Sequence, residues 1–264
     1  GGGGWVGVGG PAVGAGVEPV VSGDVRPRDG GAGLCEAGIG HRGQGEGGGG
    51  GGAGLAGPRQ GGGGDLGDVV PGGGQDIGDL LGDLEEIRYL NQKAWGANVA
   101  LSKPGLYQFI IEGRPWWDAA HGRFLQHYVK TTLPVYGVER GWNLPVGQRF
   151  EIVPLSRPFG LTAPAMFSGV VLMDGQPLAA ASVRMERINT EKRPVPTAWH
   201  EDIAARTNNK GEFSFVLNQP GWWCCMASIP GDPLKGPDGQ PKPLQLGTLF
   251  WLYVDSLSSE TRKR

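Results

Sequence analysis

Apolar residues in the C-terminal half of this chain fall into short runs that are separated by turn residues. The stretch "EFSFVL" alternates polar and apolar positions, and "WWCCMASI" shortly after it is apolar almost throughout. Alternation with period two is typical of β-strands, because successive side chains point to opposite faces of a sheet. Asp-Gly lies between two apolar runs in "MFSGVVLMDGQPLAAASV", which indicates a hairpin. Strands about 8–12 residues apart with such turns predict an all-β fold, an antiparallel sandwich of transthyretin or immunoglobulin type.

Three β-type runs precede this part of the chain. "NVALSKPGLYQFIIEG" predicts a strand, a Pro-Gly turn and a second strand, "GRFLQHYVKTTLPVYG" predicts a strand broken by Pro134, and "VGQRFEIVPL" predicts a third run. The only helix candidate, "GDLLGDLEEIRYL", is weakened by its glycines. Because strands and helices do not alternate, a Rossmann-type enzyme is not expected. Residues predicted to share a face or lie near the core are Tyr107, Phe109, Ile111, Phe150, Ile152 and Val153.

Glycine usage divides the chain. Residues 1–82 contain 35 of the 51 glycines and no Lys, Phe or Tyr. Such a segment has little apolar surface to offset the entropy of ordering it, so we predict a disordered, glycine-rich tail. No GxxxxGK[ST] motif occurs there, and a phosphate-binding loop is not expected. The predicted organisation is a tail at 1–82, a small β-rich layer at 83–158, a β-sandwich domain at 159–256 and a charged tail at 257–264.

Charge and hydropathy exclude several functions. The formal net charge of −2 argues against a general nucleic-acid binder, which needs a basic surface. The sequence contains no run of 18 apolar residues, so no transmembrane segment is expected, and no secretory signal is visible at the N-terminus. The sequence has no GxSxG and no HExxH, and its adjacent Glu85 and Glu86 would point to different faces. We therefore expect a protein that is not an enzyme.

Several blocks together resemble a known family. They are "KPGLYQFIIEGRPWWDAAHGRFLQHYVKT", "GWNLPVGQRFEIVPLSRPFGLTAPAMFSGVV" and "TNNKGEFSFVLNQPGWW" with "LGTLFWLYVD". Over residues 83–255 they are similar to the β-sandwich family described as the periplasmic component of cobalt/nickel ABC-type transport systems. The resemblance implies a periplasmic accessory or metal-binding subunit for Ni²⁺ or Co²⁺ whose partners are the membrane transporter subunits. The "DGQPLAAASV" and "PGWW" blocks are also similar to many transthyretin-like sandwiches.

The N-terminal segment departs from that family. Its members begin with a signal peptide and a histidine-containing first strand, whereas the corresponding segment of this chain has only His41. We expect residues 1 to about 80 to come from a wrong reading frame or a misplaced start, because Gly, Lys and aromatic usage change abruptly near residue 82.

Histidines are the candidate metal ligands. His127 in "FLQHYVK" falls where the family also carries histidine before tyrosine, and His200 stands beside Glu201 in "TAWHED". His121 follows Asp118 in "WWDAAHGR". Imidazole binds nickel, cobalt, copper and zinc alike, so it does not select the metal. For each of these residues the competing interpretation is an ordinary strand or loop histidine.

Each pair of neighbouring tryptophans or cysteines can be interpreted either as a binding site or as packing residues. The Trp116–Trp117 and Trp222–Trp223 pairs are compatible with a carbohydrate-binding platform, but neighbouring strand residues face opposite ways, which favours one ring in the core and one covering an edge or the second domain. Cys224 and Cys225 would point to opposite faces, so packing is favoured over metal binding. A structural or interaction module, like the sandwiches appended to peptidases, remains the other alternative to metal uptake.

Overall fold

The computed structural model describes residues 104–119, 121–189 and 193–257 with their side chains, and the backbone of six strands within residues 1–101. Nearly all of the described secondary structure is β. The strands are β1 (Gly4–Val6), β2 (Gly33–Gly40), β3 (Asp65–Val69), β4 (Gln75–Asp79), β5 (Glu85–Tyr89), β6 (Gln92–Leu101), β7 (Gly105–Glu112), β8 (Trp116–Asp118), β9 (Arg123–Val135), β10 (Phe150–Pro154), β11 (Leu161–Thr162), β12 (Ala165–Met173), β13 (Gln176–Pro177), β14 (Ser182–Arg187), β15 (Asp202–Arg206), β16 (Glu212–Leu217), β17 (Gly221–Lys235) and β18 (Pro241–Asp255). A 3₁₀ turn, Ala198–His200, precedes β15.

Two of the sheets pack as a sandwich, which confirms the predicted fold class. The large sheet has the order β15-β14-β17-β18-β9-β7-β3-β4, with β11 beside β18 and β8 beside β9. In the small sheet β12 pairs with β10, β13 and β16. A third sheet has the order β1-β2-β6-β5. The structure adds one feature that the sequence did not indicate, because β18 runs parallel to both β9 and β11.

The core lies between the small and large sheets and follows the period of two. In β17, Trp223, Cys225 and Ala227 are buried, while the alternating residues Trp222 and Cys224 lie on the outer face. Burial of such side chains stabilises a fold by about 1.5–3 kcal/mol each for the larger ones. The predicted core residues of β10 are confirmed. The buried cluster comprises Tyr128, Phe150, Ile152, Phe167, Val171, Ala181, Val183, Met185, Phe213, Phe215, Leu217, Trp223, Cys225, Ala227, Leu244, Leu246, Phe250, Leu252 and Val254.

A second apolar layer covers the outer face of the large sheet. It comprises the buried residues Val129, Ile188, Leu249 and Trp251, with Ile111, Trp222, Cys224 and Met226 partly buried against them. The stretch "TLFWL" in β18 is therefore buried on both faces and loses the polar–apolar alternation of a half-exposed strand.

The predicted turns are present. Asp174 and Gly175 both have positive φ angles of 50° and 76°, as a two-residue hairpin turn with inverted twist requires, and they join β12 to β13. The Asn-Asn-Lys-Gly turn before β16 is held by Asn208, whose Oδ1 accepts N–H bonds from Lys210 and Glu212 at 2.9 Å.

Other expectations differ from the structure. Strands on both sides of residue 158 share the two sandwich sheets, since β9 lies beside β18 and β10 beside β12, so residues 105–256 form one sandwich. The strand β9 runs through Pro134. The described part of the helix candidate is β-strand, at 75–79 and 85–89. Of the predicted disordered tail, the structure describes β1 to β4, and the remainder lies outside the described residues, as does the charged tail beyond residue 257.

Candidate functional site

His127, the strongest metal candidate in the sequence, lies in the middle of β9 on the outer face of the large sheet. The residue is 7% exposed. Its ring lies against Gly247 of β18, where an added Cβ would come within 2.8 Å of Cδ2 and 3.2 Å of Nε2. Its backbone oxygen accepts a 2.8 Å bond from the N–H of Gly113. The missing side chain at residue 247 therefore makes room for the imidazole, and the ring is enclosed by the sheet.

His200, the second candidate, ends the 3₁₀ turn before β15 and is exposed. The hydroxyl of Thr197 lies 2.9 Å from His200 Nδ1, which fixes the ring by its inner nitrogen. In the large sheet, β15 and β9 are four strand positions apart. At about 4.8 Å per strand, this separates the two histidines by roughly 19 Å, and they cannot bind the same ion.

His121 and Asp118 form the clearest ligand-like arrangement among the described histidines. Asp118 ends β8 and His121 lies in the turn before β9. In this hairpin Asp118 pairs with Arg123, and the ring centroids of Trp117 and Phe124 lie 5.1 Å apart. His121 Nδ1 lies 2.7 Å from Asp118 Oδ2, and the His121 side chain is 47% exposed while that of Asp118 is buried. A carboxylate that accepts the Nδ1 hydrogen leaves Nε2 as the ligand atom, which is how metal-binding imidazoles are commonly oriented.

Arg123 completes the polar surroundings of Asp118. Its Nε lies 3.6 Å from Asp118 Oδ2, and its Nη1 donates a 2.5 Å hydrogen bond to Gln245 Oε1 of β18. The guanidinium supplies the counter-charge of the buried carboxylate, so Asp118 remains an acceptor for His121. The arrangement is thus held by three strands of the large sheet, β8, β9 and β18. Among the described residues, no group of three or more His, Cys, Asp or Glu side chains could hold a metal ion by itself.

A buried ion pair was not predicted from the sequence. Lys130 of β9 and Glu151 of β10 contact each other between the two sheets and are almost inaccessible to solvent. Glu151 also accepts the backbone N–H groups of Val146 at 2.9 Å and Gly147 at 3.1 Å. Burial lowers the pKa of Lys130 from its usual value, and Glu151 partly offsets this. The sequence carried only half of the signal, because Lys130 shares a face of β9 with the core residue Tyr128, whereas Glu151 alternates in β10 with the core residues Phe150 and Ile152.

A second charged group lies at the opposite edge of the sheet. Glu186 of β14 is directly beside Asp202 of β15, and Arg184 donates a 2.5 Å bond to Asp202 Oδ2. The pKa of Glu186 is raised from its usual 4.5 to about 7, chiefly by burial and in addition by the nearby charges of Asp202 and Glu201, while Arg184 opposes the shift. Three acidic residues, Glu186, Glu201 and Asp202, thus lie near one another at this edge, and Arg184 contacts Asp202.

The cysteine and tryptophan pairs serve packing. Cys225 is fully buried in the core and Cys224 lies half-buried on the outer face, and neither forms a disulfide. Burial raises the pKa of the Cys225 thiol well above its usual value, which keeps it protonated. Trp223 is in the core and Trp222 packs against Tyr253 at 5.2 Å, as the packing interpretation predicted.

The other tryptophan pair and a single exposed ring differ from the prediction. Trp116 and Trp117 are both half-buried, so neither fills the core. The most exposed ring among the described tryptophans is Trp199 at 90%, which the sequence analysis did not single out because its surroundings in "PTAWHED" have no strand periodicity.

The fold and these polar groups define an all-β sandwich with no assembled metal centre in the described part. A family model for a domain of unknown function, DUF4198, matches residues 36–231, roughly three quarters of the chain. The chain therefore belongs to the DUF4198 family. The match begins inside the glycine-rich segment, which counts against interpreting residues 36–82 as out-of-frame sequence. Comparison with curated proteins and with solved structures gave no match. Within the described residues, no helix has the length and apolar character needed to cross a membrane.

Proposed function

We propose that this chain is a non-enzymatic accessory or metal-binding component of a nickel or cobalt uptake transporter and acts in the periplasm. The observation that carries the proposal is the hydrogen bond between His121 and Asp118 at an exposed hairpin turn. The similarity of residues 83–255 to a periplasmic component of cobalt/nickel transport systems supports it independently.

The chemistry of the hairpin suits transient binding of a borderline divalent cation. Nitrogen ligands such as His121 Nε2 suit Ni²⁺ and Co²⁺, and Asp118 would hold the ring in the tautomer that presents this atom. A single imidazole gives a weak site, which water molecules or side chains of the membrane transporter subunits would complete. Weak binding suits a component that passes its ion to a transporter, because the ion must also leave.

The other two described histidines are weaker candidates for the metal ligand. His200 is exposed and its Nδ1 is bonded to Thr197, so its Nε2 is a second candidate ligand. His127 is 7% exposed and lies against Gly247, so an ion would reach it only if the sheet opened locally. We therefore rank the histidines in the order His121, His200 and His127.

Calorimetric titration of the full chain with Ni²⁺ and Co²⁺ tests the proposal. We expect binding in the micromolar to millimolar range that is lost in His121→Ala and weakened about 10-fold or more in Asp118→Asn, because the amide no longer accepts the Nδ1 hydrogen. His200→Ala and His127→Ala serve as controls with smaller effects. Absence of heat, or unchanged binding in His121→Ala, would contradict the assignment. Affinity should also fall at acidic pH, because an imidazole must be neutral to bind metal.

A second candidate function is an interaction or carbohydrate-binding module, and Trp199 favours it. An indole with 90% of its surface exposed is available to stack on a sugar ring or on a protein partner. Titration with a panel of glycans, followed by tryptophan fluorescence, tests the carbohydrate form. A change in the wild type that is absent from Trp199→Ala would support it, and no change with any glycan would exclude the tested sugars.

A further inference from the structure

The edge of the large sheet at β15 has the features of a self-association surface. β15 is the last strand of its sheet and pairs on one side with β14, and the other side pairs with no described strand. Natural edge strands are usually protected by lysine, proline or a bulge. The five residues of β15, "DIAAR", contain neither lysine nor proline.

Apolar side chains are exposed along this edge. Ile203 in β15 is 42% exposed, and Trp199 in the turn immediately before the strand is 90% exposed. Ala204 in the middle of the strand is also exposed and presents no bulky group to an approaching backbone. The strand is short and charged at both ends, but its middle is apolar and pairs on this side with no described strand, so it can serve as a template for another strand.

The charge pattern of β15 selects a second copy of this chain as that strand. If two β15 strands pair antiparallel about Ala204, Asp202 of one copy lies opposite Arg206 of the other, twice by symmetry. Asp202 and Arg206 share one face of the sheet, because they are separated by an even number of residues. Ile203 of each copy then lies opposite Ala205 of the other on the inner face. A strand with its acid at one end and its base at the other is self-complementary in this arrangement.

The electrostatics of the edge agree with such a partner. Glu186, Asp202 and Glu201 lie near one another, and Arg184 is the cation that contacts Asp202. Arg206 is exposed, and its Nη1 donates to the backbone oxygen of Ala180 at 3.1 Å. In a dimer, the guanidinium of Arg206 from the second copy would approach Asp202 and its acidic neighbours. We propose that the chain forms a two-fold symmetric homodimer in which the β15 strands extend the large sheets into one continuous sheet.

Charge reversal tests this pairing with a built-in rescue. In Asp202→Arg, both charged positions of β15 are basic, and in Arg206→Asp both are acidic, so each variant alone should weaken the dimer about 10- to 100-fold. An equimolar mixture of the two variants restores both opposite-charge contacts and should form a heterodimer. The double variant Asp202→Arg/Arg206→Asp should again form a homodimer.

Sedimentation velocity of the full chain under reducing conditions, over a range of concentrations, measures these outcomes. Circular dichroism establishes that each variant is folded, and the rescue in the mixture does so independently. Val216→Asp, which places a charge on an exposed site of the small sheet, is the matched control and should leave the dimer intact. A wild type that stays monomeric up to several hundred micromolar, or a dimer that both single variants retain, would overturn the proposal.

Discussion

Two of the groups in which acidic and basic side chains meet in this sandwich differ in burial. Between the sheets, Lys130 and Glu151 are almost inaccessible, and the carboxylate is satisfied by one cation and two backbone N–H groups. At the β15 edge, Glu186 and Asp202 stand together with Arg184, half-buried or exposed to solvent. The first group is complete within the chain, whereas the second carries charge that an external group can still neutralise. The comparison indicates that the interior pair serves folding and the edge serves interactions.

Removal of one partner of the buried pair is expected to have the largest effect. Lys130→Met leaves Glu151 as an uncompensated buried charge, so we expect a loss of about 3–5 kcal/mol in the free energy of unfolding. In Lys130→Met/Glu151→Gln no charge is left buried, but the amide has a single accepting oxygen for two N–H groups that bond to different oxygens of Glu151, so only part of this loss should be recovered. Urea denaturation measures both values. A loss below about 1 kcal/mol in Lys130→Met would show that the pair is not buried as described.

At the edge, the expected effect is smaller and depends on pH. The folded chain holds a proton on Glu186 up to about pH 7, whereas an unfolded chain releases it near 4.5. Because the folded state then binds more protons, its stability falls as the pH rises from about 4.5 to 7, by up to about 3 kcal/mol. Glu186→Gln removes this contribution and should flatten the decline.

Thermal unfolding of both proteins between pH 4.5 and 8 measures the difference. The control is Glu139→Gln, which changes an exposed carboxylate that pairs with Arg157 on a loop, and it should retain the pH dependence of the wild type. If Glu186→Gln and the wild type follow the same curve, Glu186 is not the group responsible.

Cys225 and Cys224 are neighbours in β17, but one is buried in the core and the other lies half-buried on the outer face. We expect their replacement to have the smallest effects on the free energy of unfolding. Cys225→Ala removes a fully buried sulfur and should cost about 1–2 kcal/mol, whereas Cys224→Ala on the half-buried outer face should cost about 0.5 kcal/mol or less. Both variants should bind metal as the wild type does. Chemical denaturation together with nickel titration checks both statements, and equal costs for the two variants would contradict the assigned orientation of β17.

Local patterns predicted more of the fold than of the candidate site. The period-two pattern predicted the inward-facing residues of β10, β16 and β17, and the Asp174–Gly175 pair predicted the hairpin turn that it forms. Both features depend only on residues that are close in sequence. The parallel contact between β9 and β18 could not be predicted in this way, since the two strands are more than one hundred residues apart in sequence. For the same reason the sequence did not indicate that strands on both sides of residue 158 share the same sheets.

The surroundings of the candidate site residues were harder to predict than the strands, because they depend on contacts between residues that are distant in sequence. The spacing of Asp118 and His121 suggested proximity, and the β8–β9 turn brings them together. The enclosure of His127 comes from Gly247 on a distant strand, and the pairing of Lys130 with Glu151 requires that the two sheets face each other. Neither contact is encoded in a local motif.

The location of a bound ion tests the central claim most directly. Titration of ¹⁵N-labelled full chain with Co²⁺ produces pseudocontact shifts whose pattern gives the position of the ion. Our account predicts a single centre beside the β8–β9 turn, with the largest shifts around Asp118 and His121, and its loss in His121→Ala. A centre near His200, or no shift at millimolar Co²⁺, would contradict it.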